Sequence, residues 1–331
     1  MRGDYNRSSE WQLKLNLLSL PILNTYLKQT AASLPSPPLR IGDFGCSAGR
    51  NSITLFNIAL EELRHSCDVP VSITHEDLPS NRWELFFRDA AQLGYLDNPN
   101  LFVSIIGKSF YKQVHPSKSL HLGYSACAMH YLSRQIDCPD HIVVYLTKDE
   151  ELREKARLLA RSDMITILQH RANEIVAGGH LILNNFIYTG DGKSPLEMLQ
   201  SFNMSLKENE IMTEEEIERM TRPTYMHTVE EWRDILNQVM DLYSVKVIET
   251  HDVRCPYYET YLEHGDREKF SGEMMEFFRT WHEGAVRECL KREQAEVESV
   301  VNAYFERLKM YVYENLPVLV FSNIIIALQV L

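Results

Sequence analysis

The chain has 331 residues, of which 44% are hydrophobic and 24% are charged, as is usual for a globular protein that can bury a large core. Its formal net charge of −12, without any basic run interleaved with aromatic residues, argues against nucleic acid as a partner and favours a small or cationic ligand. The six cysteines form no C-x-x-C pair and no zinc spacing, so we expect reduced thiols in the cytoplasm and no metal site.

The amino-terminal part of the chain is predicted to be helical. Residues 1–30 indicate a loop followed by an amphipathic helix, and the Ser- and Pro-rich residues 33–38 cannot continue that helix. The first apolar run is interrupted by Lys14 and Asn16, which is unlike the apolar centre of a secretory signal. We therefore expect this segment to belong to the folded protein.

Strands and helices alternate over the first part of the chain. We predict strands over residues 39–44, 69–74, 101–106, 120–124 and 180–186. Helices are predicted over residues 51–64 and 149–176, the second of them stopped by Gly178 and Gly179. This alternation predicts an α/β fold with a parallel, doubly wound sheet.

The rest of the chain is mainly helical. Residues 190–226 and 257–307 have no strand pattern, whereas residues 243–249 indicate a strand between them. Residues 316–331 are almost wholly apolar but fall short of the roughly 20 residues of a membrane helix, so we interpret them as a buried terminal strand rather than a tail anchor. We predict an α/β core over residues 36–189, 236–253 and 314–331, and a mostly helical cap over 1–35, 190–235 and 254–313 that forms the acceptor pocket.

The segment from Ile41 to Asn51 is the most informative stretch of the sequence. It places a glycine-rich turn between the first predicted strand and the next helix, where open α/β sheets bind ligands. Asp43 at the strand end would repel a pyrophosphate and attract an ammonium group, so the turn favours a cationic cofactor such as S-adenosylmethionine. Residues 43–45 spell the DFG triplet of protein kinases, but no kinase catalytic loop accompanies them. A Walker phosphate loop is also excluded, because no Gly-Lys-Ser/Thr follows the glycines.

Six ordered segments carry a resemblance to a known family. They are residues 5–12 (YNRSSEWQ), 43–51 (DFGCSAGRN), 77–81 (DLPSN), 107–111 (GKSFY, with one inserted Lys), 131–133 (YLS) and 171–174 (RANE, followed by two glycines). They resemble the patterns of the SABATH family of S-adenosylmethionine-dependent methyltransferases, which methylate carboxyl groups of small acids and, in one branch, ring nitrogens. The resemblance implies a Rossmann-like class I methyltransferase sheet and a homodimer.

The resemblance also implies where the cofactor binds. Its methionine end would be held by Tyr5, Ser9, Asp43 and Asn51, its ribose hydroxyls by Asp77, and its adenine by Ser109 with Phe110. Asp77 follows a predicted strand, and a carboxylate there can accept from both ribose hydroxyls. Simpler alternatives are an Asx turn at Asp43, a helix cap at Asp77 and core packing at Phe110. The implied cofactor-binding residues are Tyr5, Ser9, Asp43, Gly45, Asn51, Asp77, Leu78, Ser109 and Phe110.

The acceptor site implied by the resemblance centres on Gln12 and Tyr131. Gln12 matches the family glutamine whose amide donates to the substrate carboxylate, and Tyr131 replaces a tryptophan that usually donates its indole N–H. A phenol can donate as well. We name Gln12 and Tyr131 as the catalytic residues. Further substrate-binding residues are Cys127, where a small-acid enzyme often has an aromatic residue, and His130, where family members vary.

These residues imply conversion of a small-molecule carboxylic acid to its methyl ester. A carboxylate is ionised at neutral pH and needs no general base, so positioning and desolvation would accelerate the reaction. Two alternatives stay open: an N-methyltransferase acting on a small heterocycle, for which His130 is the only nearby candidate base, and a catalytically silent protein that binds a small ligand. We expect neither nucleic acid nor a membrane as a partner.

Overall fold

A computed structural model describes residues 10–206 and 211–331, and a seven-stranded sheet forms its centre. The strands, in chain order, are β1 (Leu39–Phe44), β2 (Val71–Asp77), β3 (Leu101–Gly107), β4 (Leu120–Ala126), β5 (Ile175–Phe186), β6 (Tyr243–Arg254) and β7 (Val320–Val330). In the sheet they lie in the order β3-β2-β1-β4-β5-β7-β6. Every strand predicted from the sequence is present.

The sheet is parallel over β1 to β5 and antiparallel around β7. Strand β1 pairs with β2 on one side and with β4 on the other, so the strand order reverses there. Strand β7 runs antiparallel to both β5 and β6, so the predicted parallel arrangement holds for the direction of the other six strands but not for β7. The residues of β7 are apolar on both faces, a pattern that predicts burial but carries no information about strand direction.

Helices cover both faces of the sheet and one of its ends. Among the described residues the α-helices are α1 (Glu10–Leu18), α2 (Leu20–Ala32), α3 (Arg50–Arg64), α4 (Trp83–Gln92), α5 (Glu150–Glu174), α6 (Pro195–Leu206), α7 (Glu214–Glu218), α8 (Val229–Asn237), α9 (Pro256–His264), α10 (Arg267–Cys289) and α11 (Gln294–Asn315). Helices α7 and α8 both begin with a capping box, in which a Thr and a Glu satisfy each other's backbone amides.

Three hydrophobic clusters organise these layers. One joins α2, α3 and α4 to one face of the sheet, and a second joins α5 and α8 to the other face. The third cluster, which we call the cap cluster, contains apolar side chains of α1, α6, α10 and α11. The cap cluster meets the sheet at the end of β5 and the start of β7, through Phe186 and Phe321.

Two boundaries differ from those predicted. Helices α2 and α8 pack on the sheet, although the predicted division assigned residues 1–35 and 190–235 to the cap; the buried Trp232 and Ile235 bring α8 there. Gly178 and Gly179 do not stop α5 but lie inside β5, where the register of pairing with β4 shifts by three residues. Helix α5 ends at Glu174, before the glycines, because the backbone becomes extended at Ile175, where β5 begins.

The apolar carboxyl-terminal segment is strand β7, as predicted, and it lies between β5 and β6. Searching the described residues for a helix with the length and apolarity of a membrane span gives no candidate.

We predict that Ile326→Asp unfolds the protein or lowers its free energy of unfolding by about 3–5 kcal/mol, because it buries an unpaired charge. Ile326 is fully buried in the cluster that contains α5 and α8. Gln329→Asp is the control, since Gln329 lies on the same strand but is partly exposed. Urea unfolding of both variants tests this, and equal stabilities would contradict the central position of β7.

Candidate active site

A large cavity lies where the carboxyl ends of β1 and β4 meet the cap cluster. The space within it, counted together with the open solvent at its mouth, is about 990 Å³. The sheet side is lined by residues of the turn after β1 and by the start of α3. The opposite side is lined by apolar side chains of the cap cluster and its surroundings, among them Phe186, Leu196, Met226, Trp281 and Phe321.

The turn after β1 has the conformation that its glycines suggest. Gly45 and Gly49 have φ angles of +80° and +90°, which other residues rarely adopt. A Cβ atom on Gly49 would lie 2.2 Å from the ring of Phe86, so only glycine fits there. The turn therefore brings its own backbone and the first residues of α3, Arg50 and Asn51, to the cavity.

Asp43 lies at the end of β1, lines the cavity and is 2% exposed. Its Oδ2 accepts hydrogen bonds from the Ser52 hydroxyl and from Nδ1 of His75, the latter at 2.7 Å. Nε2 of His75 lies 3.0 Å from the hydroxyl of Tyr95. These buried contacts hold the carboxylate in one orientation toward the cavity.

Asp77, at the end of β2, lies beside the same turn. Its Oδ2 accepts from the Ser47 amide at 2.7 Å, and its Oδ1 accepts from the Leu78 amide at 2.8 Å. The Asn81 side chain donates to the Ser47 carbonyl at 2.7 Å and completes the link between the two strand ends. Burial raises the pKa of Asp77, with a smaller contribution from the charge of Asp43.

The RANE segment anchors the loop that carries Ser109 and Phe110. Arg171 and Glu174 form a fully buried ion pair with nitrogen–oxygen distances of 2.7 and 2.8 Å. Arg171 donates to the carbonyls of Phe110 and Lys112, and Glu174 accepts from the amides of the following loop residues. The ring of Phe110 lies near the turn, 3.8 Å from where a Cβ on Gly45 would be.

The four predicted acceptor residues line the same cavity. The Oε1 atom of Gln12 and the Nδ1 atom of His130 are buried and have no hydrogen-bond partner among the described residues. Burial, reinforced by the nearby charge of Arg222, lowers the pKa of His130 to about 3, so its imidazole is neutral at physiological pH. Cys127 has a thiol whose pKa burial raises to about 12.

Arg222 is a cavity residue that no sequence pattern indicated. It follows α7 and is 9% exposed. Its Nη2 donates to the Tyr131 hydroxyl at 3.3 Å, its Nη1 donates to the Trp281 carbonyl at 2.9 Å, and its guanidinium lies 5.0 Å from the centre of the Trp281 ring. These partners are 91 and 59 positions away in the chain, so local spacing could not reveal them.

The predicted site residues therefore fall into three groups. Those that line the cavity are Gln12, Asp43, Gly45, Asn51, Cys127, His130 and Tyr131. Those that are not part of the cavity wall are Asp77, Leu78, Ser109 and Phe110, of which Asp77 accepts from the turn and Phe110 lies near it. Tyr5 and Ser9 lie outside the described residues.

Comparison of the sequence with known protein families identifies the family of this chain. The family model of SAM-dependent carboxyl methyltransferases matches residues 2–329. The chain belongs to this family. The resemblance found in the six segments is thereby confirmed, and so is the expected activity: the protein is an S-adenosylmethionine-dependent carboxyl methyltransferase.

Relatives of this carboxyl methyltransferase occur in fungi and plants. Methyltransferase FUS9 of Gibberella moniliformis is 24% identical over 292 residues, which cover 84% of this chain and 78% of the relative. Jasmonate O-methyltransferase of Arabidopsis thaliana is 24% identical over 277 residues, or 71% of each chain. A solved structure of loganic acid methyltransferase with SAH has a TM-score of 0.80 at 20% identity and covers 99% of this chain and 98% of its own, which confirms the fold.

Glu76 is an acid at the carboxyl end of β2 whose ionisation is coupled to folding. It is fully buried, its Oε2 accepts from the Gly45 amide at 3.2 Å, and its Oε1 has no partner among the described residues. Burial, and next the charge of Asp77, raises the pKa of Glu76 from an ordinary value of 4.5 to about 8.

We predict that this proton makes stability depend on pH. The folded protein keeps the proton up to about pH 8, whereas the unfolded chain releases it above about pH 4.5. The stabilisation is therefore complete below about pH 4.5, falls progressively as pH rises and is exhausted once pH passes about 8; about 2 kcal/mol of it is lost between about pH 6 and about pH 8. Urea unfolding of Glu76→Gln, which mimics the protonated side chain, should show a flatter pH dependence. If the free energy of unfolding depended on pH in the same way in parent and variant, Glu76 would not be the source of the pH dependence.

Proposed function

We propose that this methyltransferase acts on a small, largely apolar acid whose carboxylate is bound near Gln12 and Tyr131, under the cap. The observation that carries the proposal is the distribution of charge in the cavity. The Asp43 carboxylate lies at the sheet end, the Arg222 guanidinium lies on the cap side, and apolar side chains line the space between them. A cationic cofactor and an anionic acceptor are each attracted to the end of opposite charge.

The residues at the sheet end fit S-adenosylmethionine. The acidic side chains there suit a ligand with an ammonium group, a positive sulfur and two ribose hydroxyls. We propose that Asp43 and Asn51 bind the methionine end, which passes over Gly45, and that Asp77 binds the ribose beside Leu78. In this proposal Ser109 and Phe110 contact the adenine. Tyr5 and Ser9 remain predictions.

The acceptor residues would orient one carboxylate oxygen toward the methyl group. The Tyr131 hydroxyl accepts from Arg222, which leaves its own proton free to be donated into the cavity. A half-turn of the Gln12 amide would present its N–H₂ group, instead of the unpaired Oε1, to the same space. Two donors on one carboxylate restrict its rotation, and an aligned nucleophile reacts much faster than a freely rotating one.

The chemistry needs positioning and exclusion of water rather than proton transfer. When bound, the cofactor supplies a methyl group on a positively charged sulfur, and the acceptor supplies a negative charge that is lost as the ester forms. The apolar wall formed by Phe186, Met226 and Trp281 keeps water away from both charges, so their attraction is less screened.

The state of His130 supports carboxyl methylation over N-methylation. A heterocycle that carries a proton on the accepting nitrogen would need a base, and His130 was the candidate. With a pKa of about 3, its buried imidazole is a weak base at neutral pH. It is better suited to pack against the acceptor, as its ring does against Tyr131 and Phe186, at 4.6 and 5.2 Å between ring centres.

Further predictions concern the organisation of the protein. We propose a core over residues 36–189, 236–253 and 314–331, to which α2 and α8 are added on the basis of their packing. The remaining helices would form the cap. A homodimer and a cytoplasmic location remain predictions.

Methyl transfer from labelled S-adenosylmethionine to a panel of aromatic and aliphatic acids tests the proposed function. We expect label in products that release methanol in mild base, as methyl esters do. Label that survives base treatment and resides on a heterocycle nitrogen would favour the N-methyltransferase instead. Cofactor binding without turnover of any compound would favour the silent binding protein.

We predict that Tyr131→Phe lowers turnover on the order of 100-fold, because an acceptor that pivots by about 1 Å leaves the reactive geometry. The affinity for S-adenosylmethionine should not change, and Gln12→Ala should act in the same way. Tyr313→Phe is the matched control, since Tyr313 is 42% exposed, against 39% for Tyr131, and does not line the cavity. Steady-state kinetics measure the turnover, and calorimetric titration measures the cofactor affinity. Parental turnover in both Tyr131→Phe and Gln12→Ala would refute the proposal that these two side chains orient the carboxylate.

A further inference from the structure

Arg222 is a nearly buried cation without an anionic partner. Its side chain donates to a carbonyl and a phenol and lies beside an imidazole, and no carboxylate pairs with it in the part of the chain that the structure describes. A buried charge is normally paired, because its removal from water is costly. Since Arg222 also lines the cavity, the missing partner would be an anion that enters there.

A chain of buried polar groups holds the guanidinium in place. Arg222 can only donate, so Nδ1 of His282, 3.4 Å from its Nη1, faces it as an acceptor. Nε2 of His282 then carries the proton and donates to the Tyr304 hydroxyl at 3.0 Å, and Tyr304 donates to Oδ1 of Asn203 at 2.7 Å. Burial, and next the charge of Arg222, holds the pKa of His282 well below its usual range, which agrees with a neutral imidazole.

The backbone around Arg222 is fixed as well. Its amide donates to the Ile142 carbonyl at 2.7 Å, and the Leu132 amide donates to the Pro223 carbonyl at 2.7 Å. The second contact ties the segment of Arg222 directly to the segment that carries Tyr131. The guanidinium is therefore positioned before any ligand binds, which lowers the cost of recognition.

We propose that Arg222 recognises the negative charge of the acceptor and makes this protein select ionised acids over neutral molecules of the same shape. The inference rests on the proposed function, since it assigns the charge-recognising residue of that acceptor site. The role assigned is attraction of the carboxylate by the Arg222 guanidinium, beside the Tyr131 hydroxyl to which Nη2 donates.

The chemistry of esterification determines which kinetic constant Arg222 controls. The acceptor loses its charge during the reaction, so an interaction with that charge is strongest before methyl transfer and weakest in the neutral ester. Arg222 should therefore lower the KM for the acid without a comparable gain in kcat. The methyl ester, which has no charge, should be held less tightly and should leave readily.

The test uses an acid that the parent methylates, together with its primary amide as a neutral competitive inhibitor of the same shape. The parent should bind the acid at least about tenfold more tightly than the amide, as expected for a hydrogen bond to a charged group. In Arg222→Met the KM for the acid should rise about ten- to hundredfold, kcat should change much less, and the preference for the acid should disappear.

Arg279→Met is the matched control. Arg279 lies on α10 and, like Arg222, stacks on an aromatic ring, 5.2 Å from the centre of Phe305, but it pairs with Glu283 and does not line the cavity. The control should keep the parental KM and the parental acid preference. Should Arg222→Met fail to fold, Arg222→Gln takes its place, because it keeps a donor for Tyr131 or Trp281 without the charge.

The outcomes separate this inference from the function on which it rests. Loss of the acid preference in the Arg222 variant, with unchanged cofactor affinity, supports it. An Arg222 variant that keeps the parental KM and preference overturns it, even though the parent methylates acids. A parent that methylates none of the acids contradicts the proposed function instead, and comparison of acid and amide binding by calorimetry then still decides the role of Arg222.

Discussion

The reversal of strand order at β1 is the constraint on which the site depends. Because β1 pairs with β2 on one side and with β4 on the other, α3 packs on one face of the sheet and α5 on the opposite face. A crevice opens between them at the carboxyl ends of the strands. The turn with Gly45 and Gly49 fills the floor of that crevice, and the cap cluster closes it from above.

Electrostatics explains why the two ends of the cavity differ. The ends of the neighbouring strands β1 and β2 bring three acids together: Asp43, Glu76 and Asp77. Burial keeps Glu76 protonated, so the repulsion among the three is smaller than it would be with three negative charges. The buried pair of Arg171 and Glu174 serves a different purpose, since it anchors the loop beside that acidic end. The positive charge on the cap side comes from another part of the chain. Separate structural units thus supply the two charges that a sulfonium donor and a carboxylate acceptor require.

Sequence reasoning succeeded where local pattern and motif order carry the information. The strands from 39 onward, the turn of Asp43 and the residues Gln12, His130 and Tyr131 of the cavity were all predicted from adjacent residues or ordered segments. It failed where distant packing decides. The direction of β7 depends on its neighbours, and the position of α8 depends on which surface Trp232 meets. Arg222 was missed because it meets Tyr131 and the cavity only when segments far apart in the chain come together.

The central claim is that cofactor and acid meet in this one cavity, with the acid oriented by residues of the amino-terminal helix and the cap. A crystal structure with S-adenosylhomocysteine and an accepted acid tests it most directly. We expect the cofactor across Asp43 and Asp77, and a carboxylate at Tyr131 and Gln12 with one oxygen about 3–3.5 Å from the position of the transferred methyl group. A carboxylate pointing away from the sulfur, or an acid bound outside the cavity, would contradict it.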